Sequence, residues 1–224
     1  MDIRWPGLSY EQWAETRDTL HLWIQVIGKI KLALTPFLNE WWNVALTLTC
    51  RGMPTGPMPS GPADLQIDVD FISQQLVLAT SDGRRAFIDL IPRSVAEFHA
   101  AVTTHPVPFE QDTADRAYDG AAARRWWLAM LSVSRVMDRF RTPFGGKSSP
   151  VLFYWGGFDL KPQQARWVPG AGEFVLPWDE LLARTDPDAA SLEFFTSTYA
   201  RTTALARWDH SAFELPRIPK REAS

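Results

Sequence analysis

Residues 65–90 read LQIDVDFISQQLVLATSDGRRAFIDL, and their spacing sets the fold class. Leu65, Ile67, Val69 and Phe71 alternate with Gln66, Asp68 and Asp70. A period of two gives a half-buried antiparallel strand, apolar on one face and polar on the other. Leu76 to Thr80 and Arg85 to Leu90 are two more apolar runs, separated by Ser81-Asp82-Gly83-Arg84. Asp-Gly between such runs signals a tight hairpin, because the turn needs positive φ, which glycine adopts without steric cost. Val44 to Arg51 also alternates, so a meander of about four strands is predicted. Gly52 to Pro62 is rich in proline and glycine and reads as a loop, too poor in donors for regular structure.

Helical signals flank this sheet. Ser9 and Gln12 have the spacing of a capping box, and a helix follows, with a break expected near Thr16 to Thr19. It ends at Thr35-Pro36, since the residue before proline avoids helical angles. Ser94 and Glu97 form a second capping box before a short helix, and a proline-bearing loop follows from His105 to Phe109. Trp126, Met130, Val133, Met137 and Phe140 recur at helical spacing inside a long helix from Asp119 to Arg141. Val151 to Leu160 reads as a central strand, and Glu173 to Leu176 as a short one beside it. Asp186-Pro187 supplies a cap and a first-turn proline for the last helix. Several helices packed on an antiparallel sheet of about five to six strands make an α+β fold. No boundary is strong enough to divide the chain. Residues 1–215 read as one domain and 216–224 as a flexible tail.

Composition narrows the function classes. A net charge of −3 and a pI near 5.8 argue against nucleic acid as partner. Arg124, Arg125, Arg135 and Arg139 read as a solvated helix face. Neither a leader-like segment nor a membrane-spanning run is apparent, so a cytoplasmic protein is expected. The single cysteine, Cys50, rules out a disulfide framework and is expected as a small buried thiol. His21, His99, His105 and His210 share no ligand spacing, so no metal is expected. Gly145-Gly146-Lys147-Ser148 resembles a phosphate cradle, but the first glycine of GxxxxGK is replaced by Arg141 and a helix precedes the turn, so no nucleotide cofactor is implied.

The candidate site begins on the helix HLWIQVIGKIKLAL, residues 21–34. It is apolar nearly all round, yet His21, Gln25 and Lys29 recur every four residues along one edge beside Gly28. Buried polar groups need partners or a cavity. His21 suits acid–base work near neutrality, Lys29 suits an anion or a proton, and Gln25 suits substrate orientation. The alternative is a polar seam, with His21 on a main-chain carbonyl and Lys29 paired with a carboxylate such as Glu40. Glu40, in Asn39-Glu40-Trp41-Trp42-Asn43, is a candidate acid or base among indoles, and equally a solvated loop carboxylate. Lys147 is a candidate anion contact beside its glycines, and equally an exposed turn lysine. Trp23, Trp41, Trp42, Asn43, Tyr154 and Trp155 are the candidate ligand-binding residues, consistent with 11 tryptophans in the chain. Asp68 and Asp70 read as a solvated sheet face.

Two blocks carry a resemblance. HLWIQVIGKIKLALTPFLNEWW at 21–42 fits the pattern HLWxQxxGKxxLxLxPxxNxWW, and GKSSPVLFYWGGFDL at 146–160 fits GKxSPVxFxWGxFDL. With the Ser-Asp-Gly-Arg-Arg hairpin at 81–85, they resemble a bacterial family of uncharacterised proteins. That family often has histidine at the positions of Glu40, Asn43 and Leu152, and a longer insertion after the position of Leu160. The resemblance therefore implies a divergent, shortened member with an altered pocket. The function expected from these readings is acid–base or anion-stabilising catalysis on a small organic molecule, as an isomerase, cyclase or hydrolase of secondary metabolism, without metal. The rivals are a non-catalytic small-molecule binding protein and a structural interaction protein. A homodimer is compatible with either.

Overall fold

The computed structural model describes residues 4–103, 111–144, 148–161 and 175–207. The fold is α+β, with five helices, a five-stranded antiparallel sheet and a two-stranded one among those residues. Backbone contacts divide the chain into two compact units, Met1–Leu131 with Leu152–Lys161, and Ser132–Val151 with Pro162–Ser224.

The first unit opens with α1 (Tyr10–Leu34), one continuous helix of 25 residues. The expected break near Thr16 to Thr19 does not occur, because both hydroxyls are satisfied at helical pitch. Thr19 Oγ1 donates to Glu15 O at 2.9 Å and to Ala117 O at 2.7 Å, and Thr16 Oγ1 accepts from Asp119 N at 2.9 Å. These two buried threonines tie the chain entering the third helix to α1. The expected Ser9/Gln12 capping box is also absent: Ser9 Oγ donates to Glu11 Oε2 instead, at 2.9 Å. The helix ends before Pro36, as the sequence requires.

The sheet comprises β1 (Gly52–Pro54), β2 (Met58–Ser60), β3 (Ala63–Asp70), β4 (Gln75–Thr80) and β5 (Arg85–Asp89). The β3–β4–β5 meander follows the alternation, and Gly83 takes the turn at φ 92°. Met53, Met58, Ile67, Val69, Phe71 and Leu76 form its buried side. The Pro/Gly segment expected as a loop instead supplies β1 and β2, both paired with β3. Between them Thr55 acts as a staple: its N–H donates to Ile67 O at 2.9 Å and its hydroxyl accepts from Ile67 N at 3.0 Å. Conversely, Val44 to Arg51 is not a strand. It makes a single bridge, Leu46 with Phe153, and Cys50 is exposed rather than buried.

The expected central strand from Val151 to Leu160 folds back on itself. Leu152–Tyr154 (β6) and Asp159–Lys161 (β7) pair as a hairpin around residues 155–158. Phe158 sits at φ 55°, a left-handed conformation unusual for a bulky side chain. Its ring is held between neighbours, stacked on Trp126 at 4.7 Å and edge-on to Phe153 at 5.4 Å. The short helix α2 (Val95–Val102) starts with the Ser94/Glu97 capping box the spacing predicts. Its Phe98 stacks on Trp23 at 4.8 Å.

Helix α3 (Gly120–Arg141) places Trp126 and Trp127 against Phe71 in the first unit, at 6.0 and 6.1 Å. Within the second unit are its later turns, α4 (Trp178–Leu182) and α5 (Pro187–Ala206). Asp186 caps α5 by accepting from Ala189 N at 3.0 Å. Arg135 Nη2 meets Asp188 Oδ1 at 2.9 Å, and Phe140 packs on Phe195 and Tyr199 at 5.9 and 5.7 Å. Of the strand expected at Glu173 to Leu176, Val175 and Leu176 are not in a strand and the rest lies outside the described residues. The loop residues His105 to Phe109, His210 and the tail at 216–224 also lie outside them.

Candidate functional site

The hairpin β6–β7 and the middle of α1 build the site. His21 and Gly28 are seven residues apart, so they lie on one face of α1, about 10 Å apart along its axis. Trp155 bridges them. Its indole rests on Gly28, where a Cβ would stand 2.3 Å from indole Cδ2, so only glycine admits the ring. The indole N–H donates to Val44 O at 3.1 Å. At the other end the Trp155 carbonyl lies 3.2 Å from His21 Nε2.

The Gln25 amide nitrogen also approaches His21 Nε2, at 2.9 Å. With the proton on Nε2 the ring donates to the Trp155 carbonyl, and with the proton on Nδ1 it accepts from the Gln25 amide. Phe158 covers the ring at 4.7 Å.

On the same hairpin, Tyr154 and Asp159 are cross-strand partners. Tyr154 Oη and Asp159 Oδ1 are both buried, and neither has a hydrogen-bond partner among the described residues. The other carboxylate oxygen, Oδ2, takes Lys161 Nζ at 2.9 Å, and that ammonium lies 5.5 Å from the Tyr154 ring centroid. Burial pushes the Tyr154 hydroxyl above the usual phenol range, and the negative charges of Glu40 and Asp159 add to the effect. The phenol is thus a proton donor throughout the physiological range.

The predicted residues separate into groups. His21, Gln25 and Trp155 meet directly, and Tyr154 precedes Trp155 on the hairpin. Glu40 is close enough to act on Tyr154 electrostatically and sits in a 3-10 turn, Asn39–Trp41, in which Glu40 and Trp41 both have φ 59°. Lys29 points elsewhere along α1. It lines a groove of about 480 Å³ with Val26, Ile30, Ala33, Leu65 and Ile67. Trp23, expected at the ligand, is instead sealed in the core against Phe98 and Tyr118. Trp41 and Trp42 are 54% and 41% exposed. Asn43 is buried and structural, accepting from Leu38 N at 3.2 Å and donating to Thr35 Oγ1 at 3.2 Å. Lys147 lies outside the described residues.

Sequence reasoning missed Lys31 and Asp159. Lys31 is only 8% exposed, and its ammonium donates to Ala45 O at 2.5 Å. Burial lowers its pKa to about 8. The signal was present: Lys31 was the single charge off the polar edge of a helix otherwise apolar there. Asp159 was hidden because a straight strand places it far from Tyr154, and only the fold-back pairs them. Among the described residues no three His, Cys, Asp or Glu side chains gather in a way that would hold a metal, and no helix is long and apolar enough to cross a membrane.

An α+β unit in which a tryptophan-bearing hairpin clamps a histidine-bearing helix is the class these features define. The chain belongs to the family described as Family of unknown function (DUF5996), matched over residues 5–105, 102–161 and 160–215. No curated protein and no solved structure matches it.

Proposed function

We propose that this protein is an enzyme that moves a proton on a small organic molecule, of the kind handled in secondary metabolism, using its own side chains. One observation carries this reading: Tyr154 and Asp159 are cross-strand partners on one hairpin, and Tyr154 Oη and Asp159 Oδ1 are both buried and without partners among the described residues. A buried donor and a buried acceptor left unpaired are costly to the fold. A ligand group that both accepts and donates, such as a carboxamide, an enol or a hydroxy ketone, would repay that cost. In this reading the phenol, kept protonated by burial, donates to the developing negative charge. His21 serves as the base, its ring oriented by the Trp155 carbonyl and Gln25. Isomerisation, cyclisation and hydrolysis all need these two roles.

The test is incubation of wild-type protein with a cell-extract metabolite pool, followed by mass spectrometry. The expected result is selective depletion of one compound, lost in folded His21→Ala and Tyr154→Phe. Undiminished turnover of that compound by both variants would refute the assignment. A second reading is favoured by the apolar groove along α1. Its volume suits a small ligand, and Lys29 gives it one cationic wall residue, so a non-catalytic carrier of an amphipathic anion would bind there. That reading expects a ligand-induced rise in melting temperature, abolished by Lys29→Ala, with no turnover.

A further inference from the structure

The outer edge of β5 is unpaired among the described strands. Two backbone bonds, Thr80 N–H to Arg84 O at 3.0 Å and Leu90 N–H to Gln74 O at 2.9 Å, fix the phase of the β4–β5 ladder. Antiparallel ladders alternate, so Ala86 and Ile88 turn their amide groups toward β4. Arg85, Phe87 and Asp89 therefore turn theirs outward. No described strand pairs with that edge. Among the described residues one side chain reaches it, the Arg93 guanidinium, which donates to Asp89 O at 2.9 Å and leaves that oxygen a second lone pair. Phe87, in the middle of the edge, is 58% exposed.

Natural sheets protect such edges with proline, bulges, charged side chains or a covering element. Arg85-Ala86-Phe87-Ile88-Asp89 has neither proline nor bulge, and its two charges are opposite in sign and sit at its two ends. We propose that β5 docks antiparallel on β5 of a second copy of this chain, about a two-fold axis through Phe87. The sequence is complementary to itself in that register. Arg85 faces Asp89 of the other copy twice, Phe87 faces Phe87, and Ala86 faces Ile88 on the opposite side of the sheet. Phe87 and its mate form a hydrogen-bonded pair, as do both Arg85–Asp89 pairs. Cross-strand neighbours of opposite charge and stacked aromatics are the contacts that stabilise a sheet pair. A parallel in-register pairing sets Arg85 against Arg85 and Asp89 against Asp89, and sliding the antiparallel pair by two residues loses both ion pairs. The two-fold arrangement uses the same patch on both copies and closes at the dimer. It joins two five-stranded sheets into one.

Sedimentation velocity over about 1 μM to 1 mM tests this. The expected result is a reversible monomer–dimer equilibrium. Phe87→Pro removes an N–H that bonds nothing among the described residues, so it should leave the far-ultraviolet spectrum unchanged and abolish the dimer. Arg85→Asp turns both ion pairs into repulsions and should weaken the dimer roughly ten- to a hundredfold. The swap Arg85→Asp/Asp89→Arg should restore it without depending on any effect of proline on folding. A monomer throughout the range overturns the proposal. So does a dimer indifferent to the Arg85 and Asp89 charges, which would point to another surface such as Phe37, Trp41 and Trp42.

Discussion

Replacing Gly28 with alanine tests how the hairpin is clamped to α1. On an exposed helix the change would stabilise by about 1 kcal/mol, because alanine loses less backbone entropy than glycine. Here the new Cβ would stand 2.3–2.4 Å from three atoms of the Trp155 indole. Carbon atoms need about 3.5 Å or more, so the ring must retreat by roughly 1 Å. That retreat strains the indole bond to Val44 O, now 3.1 Å, and the carbonyl contact to His21, now 3.2 Å. Overpacking costs about 1–3 kcal/mol, and a weakened buried hydrogen bond adds about 1 kcal/mol. Set against the helical gain, the net expectation is a loss of about 2 kcal/mol, or roughly 4–8 °C in melting temperature. In a Trp155→Ala background there is no ring to displace, and the same substitution should stabilise by about 1 kcal/mol. The double-mutant cycle should therefore show a coupling of about 3 kcal/mol by urea unfolding. A Gly28→Ala protein as stable as wild type, with additive effects in the cycle, would refute the packing described.

Other substitutions probe separate parts of the fold. Lys31 has its pKa lowered by burial to about 8, so between that value and the unfolded pKa near 10.4 the unfolded chain binds more protons. Stability should then rise with pH, by about 2 kcal/mol between pH 7 and pH 9.5, and Lys31→Met should abolish the rise in urea titrations. Tyr154→Phe removes a hydroxyl without a partner among the described residues, so the melting temperature should hold or increase. A loss above about 1 kcal/mol would mean that the hydroxyl is bonded. Ser94→Ala removes the cap accepting from Glu97 N at 3.2 Å and should cost about 1 kcal/mol, with faster amide exchange in the first turn of α2.

Elements whose signals are local were legible in the amino-acid sequence. The alternation from Leu65 to Phe71, the Asp82-Gly83 turn, the Ser94/Glu97 box and the Asp186-Pro187 helix start all act within a few residues, and each appears where its spacing put it. The sequence also marked His21 and Gln25 as polar groups on an otherwise apolar helix. The remaining elements follow from long-range packing, because those outcomes depend on partners far along the chain. Thr16 and Thr19 stay helical because residues 117–119 take up their hydroxyls. Gly52–Pro54 and Met58–Ser60 become strands because β3 offers an edge that tolerates proline. Val151 to Leu160 becomes a hairpin, with Phe158 held left-handed by the rings of Trp126, Phe153 and His21. Periodicity reports which face of an element is apolar, and it carries no information about which distant ring or carbonyl that face will meet. The pairing of Tyr154 with Asp159, and of His21 with the Trp155 carbonyl, is information of that second kind.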